Sequence, residues 1–185
     1  EAGGKLFEEI RQFAATTPLL VKDLASAAQT MLGFGISAEK IMPNLRAIGD
    51  ISMGDAQKLQ SLSLAFSQMT ATGKLMGQDL LQMINAGFNP LEEISRKTGQ
   101  SIGVLKEKMS EGAISAEMVR DAFMSATSEG GKFNGMLEAQ SKTIAGQMSN
   151  LEGAMEDAMN AIGENFQPII VEAIGGLTEL VKNFD

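Results

Sequence analysis

GKLMGQDLLQMINAGFNPLEEISRKTGQSIGVLKEKMSEG, residues 73 to 112, alternates short apolar-periodic segments with glycines at the places where helices stop. Leu80, Leu81 and Ile84 share a short helix ending at Gly87, where a left-handed closing residue suits a side chain without Cβ. Phe88-Asn89-Pro90 turns the chain into a second short helix with Leu91 and Ile94, which Gly99 ends. Ser101 caps a third, carrying Ile102, Leu105 and Met109, and Gly112 stops it. Three short helices in succession make this stretch the packing centre of an all-α chain.

Upstream, Leu6, Phe7, Ile10, Phe13 and Ala14 fall on one helical face. Thr17-Pro18 ends that helix, since a residue before proline is driven out of the helical region, and Pro18 suits the first position of the next. The second helix shows Leu20, Leu24, Ala27, Ala28 and Met31 on one side and stops at Gly33-Phe34-Gly35. Ser37 is the expected cap of a third, with Glu39 in its first turn and Ile41, Leu45 and Ile48 on a stripe; Pro43 kinks it or marks where its regular part begins. After Gly49-Asp50 and a cap region at Gly54-Asp55, Leu59, Leu62, Ala65, Phe66 and Met69 form another stripe, ended by Gly73. Downstream of the central stretch, Ile114-Ser115-Ala116-Glu117 reuses the helix-start signature of Ile36-Ser37-Ala38-Glu39 and opens a helix with Val119, Ala122, Phe123 and Ala126. The surrounding spacing sustains no repeat.

Gly130-Gly131 is the expected domain boundary, separating a compact head at 1–133 from an extended amphipathic helical arm at 134–185. In the arm the apolar positions run Ile144, Met148, Leu151, Met155, Ala158, Ile162, Phe166, Ile170, Ala173, Leu177, Leu180 and Phe184. Steps of four and three alternate except around Ile162, so the seam shifts by one residue just before Pro168, where a helix interior would also lose a hydrogen bond. A kinked rod about 60 Å long, or two arms, is expected at about 1.5 Å per residue. A seam this narrow and long calls for a partner helix, and Met148, Leu151, Met155, Ile162, Phe166, Ile170, Leu177, Leu180 and Phe184 are the candidate interaction residues. The expected fold class is therefore all-α: a compact bundle of short helices followed by a long, kinked amphipathic arm.

Composition narrows the chemistry. The 185 residues suit one core plus an appendage. Phe supplies all nine aromatic residues, and the 13 Met together with abundant Ala favour helix. With no Cys and no His, disulfides, most zinc sites and the usual nucleophile–base pairs are excluded. The start at Glu1, without an initiator Met or a signal-like run, reads as a piece of a longer chain. No apolar run is long enough to span a bilayer. Residues 1–133 carry 15 acidic and 13 basic side chains, whereas residues 134–185 carry 8 and 2, so most of the net charge of -8 sits in the arm. That imbalance argues against binding a phosphate backbone or anionic lipid.

The remaining candidates have plain alternatives. Gly33-Phe34-Gly35 and Gly130-Gly131 lack the strand and Lys-Ser/Thr context of a phosphate loop, and read as turn glycines. Carboxylate pairs occur at Glu92-Glu93 and at Glu152 with Glu156; the latter, one helical turn apart, have the composition to help bind a divalent cation, but face charges are the simpler account. The methionines read as core or interface filler rather than as a promiscuous groove. For Ile169 to Phe184, burial against another helix fits the acidic residues better than a membrane surface does.

FAATTP at Phe13 to Pro18, LRAIGD at Leu45 to Asp50, LAFSQMTATGKLMGQDLLQMINAGFNPLEEI at Leu64 to Ile94, SEGAISAEMVRDAF at Ser110 to Phe123 and GGKFNGMLEAQSKTIAGQMSNLEGAM at Gly130 to Met155 occur in that order. Over nearly its whole length the chain resembles the N-terminal conserved region of phage and prophage tail tape measure proteins. The resemblance implies a virion structural role in the lumen of the growing tail tube, setting its length during tail assembly and leaving ahead of the DNA during ejection. It carries over no enzyme site and no cofactor. It implies other tail proteins as partners, either the tail tube or a tail assembly chaperone, and further copies of the chain; no nucleic-acid binding is expected, and membrane contact only during ejection. The location it implies is the virion tail lumen, after the host cytoplasm during assembly. The competing expectation is a bacterial helical adaptor or membrane-active amphipathic protein unrelated to tails.

Overall fold

The computed structural model describes residues 2–162, the side chains of residues 2, 144, 145 and 162 excepted. Among the described residues there are ten helices: α1 (Ala2–Ala15), α2 (Val21–Gly33), α3 (Ala38–Ser52), α4 (Ala56–Thr72), α5 (Gly77–Asn85), α6 (Pro90–Thr98), α7 (Ile102–Ser110), α8 (Ala116–Thr127), α9 (Met136–Ser141) and α10 (Ile144–Ile162). Among the described residues there is no strand, only an isolated antiparallel bridge between Lys74 and Ser115. The chain falls into two compact units, Glu1–Asn150 and Leu151–Asp185.

In the first unit α2 packs on α4, and α3 on α1, α2, α4, α8 and α9. The stripes read from sequence supply this core: Leu24, Ala27 and Met31 of α2, Ile41, Leu45 and Ile48 of α3, and Leu59, Leu62, Ala65 and Met69 of α4 are all fully buried. Each such Leu, Ile or Met stabilises the fold by roughly 2 kcal/mol relative to exposure. Asp55 caps α4 by accepting from the Lys58 N–H at 2.9 Å, and Gly73 closes it in the left-handed region.

The central stretch forms α5, α6 and α7. At the end of α5 the Phe88 N–H reaches the Met83 carbonyl and the Gly87 N–H reaches that of Ile84, both at 2.9 Å, with Gly87 at φ 98°. This Schellman closure satisfies carbonyls the helix leaves open and swings the next apolar residue inward. Gly112 ends α7 in the same way, with the Ala113 N–H on the Lys108 carbonyl at 2.7 Å. The turn beyond it is stitched to the α4–α5 turn: the Leu75 N–H donates to the Ile114 carbonyl at 2.8 Å, and the Ala116 N–H to that of Gly73 at 3.0 Å.

Four phenylalanines run through the middle of the unit. Phe66 and Phe123 meet edge to face with centroids 5.2 Å apart, Phe88 and Phe123 at 4.6 Å, and Phe88 and Phe133 at 6.0 Å. Each such pair contributes about 1 kcal/mol beyond burial. They join α4, α8, the α5–α6 turn and the segment after α8.

Several expectations shift. Pro18 does not open α2; Leu20 holds the extended cap position, while Leu19 is buried and its N–H lies 3.4 Å from the Thr17 hydroxyl. The Pro18 ring instead presses on Gly54, where a Cβ would fall 2.6 Å from its Cγ. α3 contains Pro43 and continues through Gly49-Asp50 to Ser52, because Gly49 is a packing position: a Cβ there would lie 3.0 Å from Leu137 Cδ2. Ser37 sits at the cap of α3 without bonding a helix N–H, whereas Ser115 in the same signature accepts from the Met118 N–H at 3.1 Å. On α5 the core face is Leu80 and Met83; Leu81 points outward, as does Ile84. Phe7 is exposed on α1.

Gly130 and Gly131 turn the chain sharply, yet the chain then returns to the core. The Phe133 N–H donates to the Ala126 carbonyl at 2.8 Å, and Leu137 of α9 is buried. The first unit runs from Glu1 to Asn150.

No atom lies within 4 Å of a Cβ built on Gly87, so Gly87→Ala should cost only its backbone strain, about 1 kcal/mol. Gly131→Ala should cost more, since its Cβ would sit 2.4 Å from the Ala126 carbonyl oxygen. Urea melts of the two variants measure both; an unchanged Gly87→Ala midpoint would rule out the strained cap.

Candidate interaction surface

α10 begins at a tight corner. Thr143 caps it by accepting from the Gly146 N–H at 3.1 Å, and a Cβ on Gly146 would fall 2.3 Å from the Gln140 carbonyl oxygen, so only glycine lets α9 and α10 meet this closely. The Ser149 hydroxyl then donates to the Pro18 carbonyl at 2.7 Å, fixing the helix root on the α1–α2 loop.

Along α10 the seam residues stand as follows. Met148 is 63% exposed and Leu151 56%, while Met155 is half-buried. Met159, which the strict alternation of fours and threes passed over in favour of Ala158, is 37% exposed. Ile162 ends the helix, and its side chain lies outside the described residues together with Phe166, Ile170, Leu177, Leu180 and Phe184. Glu152 and Glu156, one turn apart, are both exposed on the same helix.

A second apolar exposure was not singled out from sequence. Leu81 and Ile84 project from α5 beside a cleft of about 490 Å³ lined by Leu64, Lys58, Gln82 and Asn85. Gln82 Oε1 is buried there without a hydrogen-bond partner. The signal was present: a nine-residue helix with both Leu80-Leu81 and Met83-Ile84 has two apolar faces, and one of them must point away from the core.

The buried charges serve the fold. Of the Glu92-Glu93 pair, Glu92 is exposed and Glu93 is buried, where its carboxylate takes a two-pronged ion pair from Arg96 and a 2.7 Å bond from the Ser125 hydroxyl. This clamp ties α6 to α8. The hydrogen bonds from Arg96, outweighing burial, hold the Glu93 carboxyl below its ordinary range. Asp50 accepts from the Leu137 N–H at 2.9 Å and so caps α9 across the fold. Burial pushes its carboxyl up, opposed by the Leu137 bond and aided by Glu138. No group of three or more acidic side chains close enough to hold a metal ion occurs among the described residues, and no described helix is long and apolar enough to cross a membrane.

The two carboxylates should shift stability in opposite directions with pH. Glu93, with a lowered folded value, contributes stability that is present above the ordinary glutamate range and lost as pH falls through that lowered value. Asp50, with a raised folded value, destabilises the fold once ionised, so its cost fades as pH falls from the raised value towards the ordinary one. Glu93→Gln should therefore flatten acid unfolding, and Asp50→Asn, which keeps an oxygen for Leu137, should hold or raise stability at pH 7. Asp50→Ala should lose about 1 kcal/mol with the cap. Urea melts between pH 3 and pH 7 give all three.

The family model described as tape measure protein matches residues 1–164. No curated protein and no solved structure matches the chain. The family match takes in every described helix, from the glycine-closed turns of the head to the exposed apolar row of α10. By that match over most of its length, the chain belongs to the tape measure protein family, a structural family of the phage tail.

Proposed function

We propose that this chain is a helical module of a phage or prophage tape measure protein that acts in tail-length determination and tail assembly by helix-to-helix packing, without catalysis of its own. The observation that carries the reading is the apolar row on α10. Met148 and Leu151 are more than half exposed and Met159 on the same helix is exposed too, whereas α3, α4 and α8 bury the stripes read from sequence. Such a row gains stability only when a partner covers it. The partner belongs to the tail, as tail tube, assembly chaperone or a further copy of the chain, and the site of action is the tail lumen after assembly in the host cytoplasm. In this reading residues 134–185 supply an extended amphipathic arm whose root is held by Ser149 and Pro18. The sequence seam through Phe166, Ile170, Leu177, Leu180 and Phe184 continues the row.

Leu151→Asp with Met155→Asp should leave the melt of the isolated chain within about 0.5 kcal/mol of the parent, because neither side chain is in the core. In a phage carrying the double variant, intact tails should be lost. Normal numbers of normal tails by electron microscopy would remove the seam from assembly. For length determination, helical residues inserted into the arm should lengthen the tail by about 1.5 Å each. A tail length indifferent to the insertion would confine the chain to assembly.

A further inference from the structure

We infer that the helix covering the α10 row is cationic, and that it is not α10 of a second copy; this rests on the seam reading above. The described part of the second unit carries two parallel rows at helical spacing. Leu151, Met155 and Met159 form the apolar one, and Glu152 and Glu156, both exposed, form the acidic one beside it. A helix laid along the apolar row therefore has its flank against the carboxylates.

The chain supplies no answering charge of its own in this region. From Thr143 to Val181 the sequence contains no Lys or Arg, while Glu152, Glu156, Asp157, Glu164, Glu172 and Glu179 are acidic. Two copies of this helix paired through their apolar rows would bring carboxylates to the edges of the seam with no cation to meet them, one row on each flank in a parallel pair and both rows on the same flank in an antiparallel one. Coiled-coil pairing is selected by such flanking charges, and like charges beside a drying apolar contact oppose it. A partner helix bearing Lys or Arg beside its own apolar row has the complementary pattern, and the partial exclusion of water on docking strengthens the attraction. Two of the three apolar residues in the row are Met, whose unbranched thioether adapts to the shape of a non-identical partner. An anionic bilayer, the other apolar surface available to an amphipathic helix, is repelled by the same carboxylates.

The test uses the full chain and two synthetic amphipathic helical peptides with the same Leu-rich seam, one flanked by Lys and the other by Glu. Binding is followed by fluorescence anisotropy at low and high salt. The Lys peptide should bind about tenfold more tightly than the Glu peptide, and that preference should shrink as salt rises. Glu152→Lys with Glu156→Lys should reverse the preference. Glu111→Lys with Glu129→Lys, an equal change of net charge at exposed positions of the head, should not. Leu151→Asp should abolish binding of the Lys peptide. Equal binding of the two peptides, loss of preference in the head control, or self-association that depends on Leu151 and ignores the charge reversal would each overturn the cationic partner while leaving the seam in place. Peptide binding indifferent to Leu151→Asp, or no binding by a chain that stays monomeric, would overturn the seam and the cationic partner together.

Discussion

The fold depends on a backbone constraint at Gly87. A chain that must leave α5 and bury the next residue within one step needs a left-handed closure, and glycine takes it without steric cost. Phe88 is thereby delivered against Phe123 at 4.6 Å and Phe133 at 6.0 Å, and through Phe123 to Phe66. Segments distant in sequence share one aromatic column because of that single turn. The backbone stitch between Gly73 and Leu75 on one side and Ile114 and Ala116 on the other closes the same region from the outside. Short helices, weak alone, become cooperative when their ends are fixed to one another.

Two carboxylates hold elements of this core together. Glu93 is buried on α6 because Arg96 and the Ser125 hydroxyl of α8 both satisfy it. Asp50 is held at the end of α3 at some cost in ionisation, and in return supplies the N-terminal N–H of α9 with a partner. Gly49, one residue earlier, makes room for Leu137 of that same short helix. α9 is six residues long and would not persist without these supports. Its docking carries the chain from the aromatic column to the tight corner before α10.

The contrast between head and α10 carries the functional reading. On α3, α4 and α8 the apolar stripes are covered by neighbouring helices; on α10 the row of Met and Leu faces outward beside carboxylates. A structural protein of a tail has use for such a row, since assembly requires surfaces that are stable in the free chain and still have stability to gain from a partner. In the pairing we propose, the acidic flank adds selectivity by opposing α10 of a second copy.

Much of this was legible in the sequence, for local reasons. Glycine at a helix end, Asn89-Pro90 ahead of α6, Ser101 and Ser115 as caps, and the stripes of α2, α3, α4 and α8 all follow from backbone sterics and from the 3.6-residue period, which act over a few residues. The sequence alone also determined the seam spacing on α10 and its lack of cations. Tertiary structure decided the rest. Pro18 became a packing surface for Gly54, Gly49 remained inside a helix, and Leu81 lost the core to Met83, because each outcome depends on what arrives from elsewhere in the chain. The two Ile-Ser-Ala-Glu starts show the division most plainly. Both open helices with a buried Ile, yet only Ser115 caps a backbone N–H. The Gly-Gly pair at 130–131 likewise fixed a turn, which is local, whereas burial of Phe133 and Leu137 is a property of the assembled core.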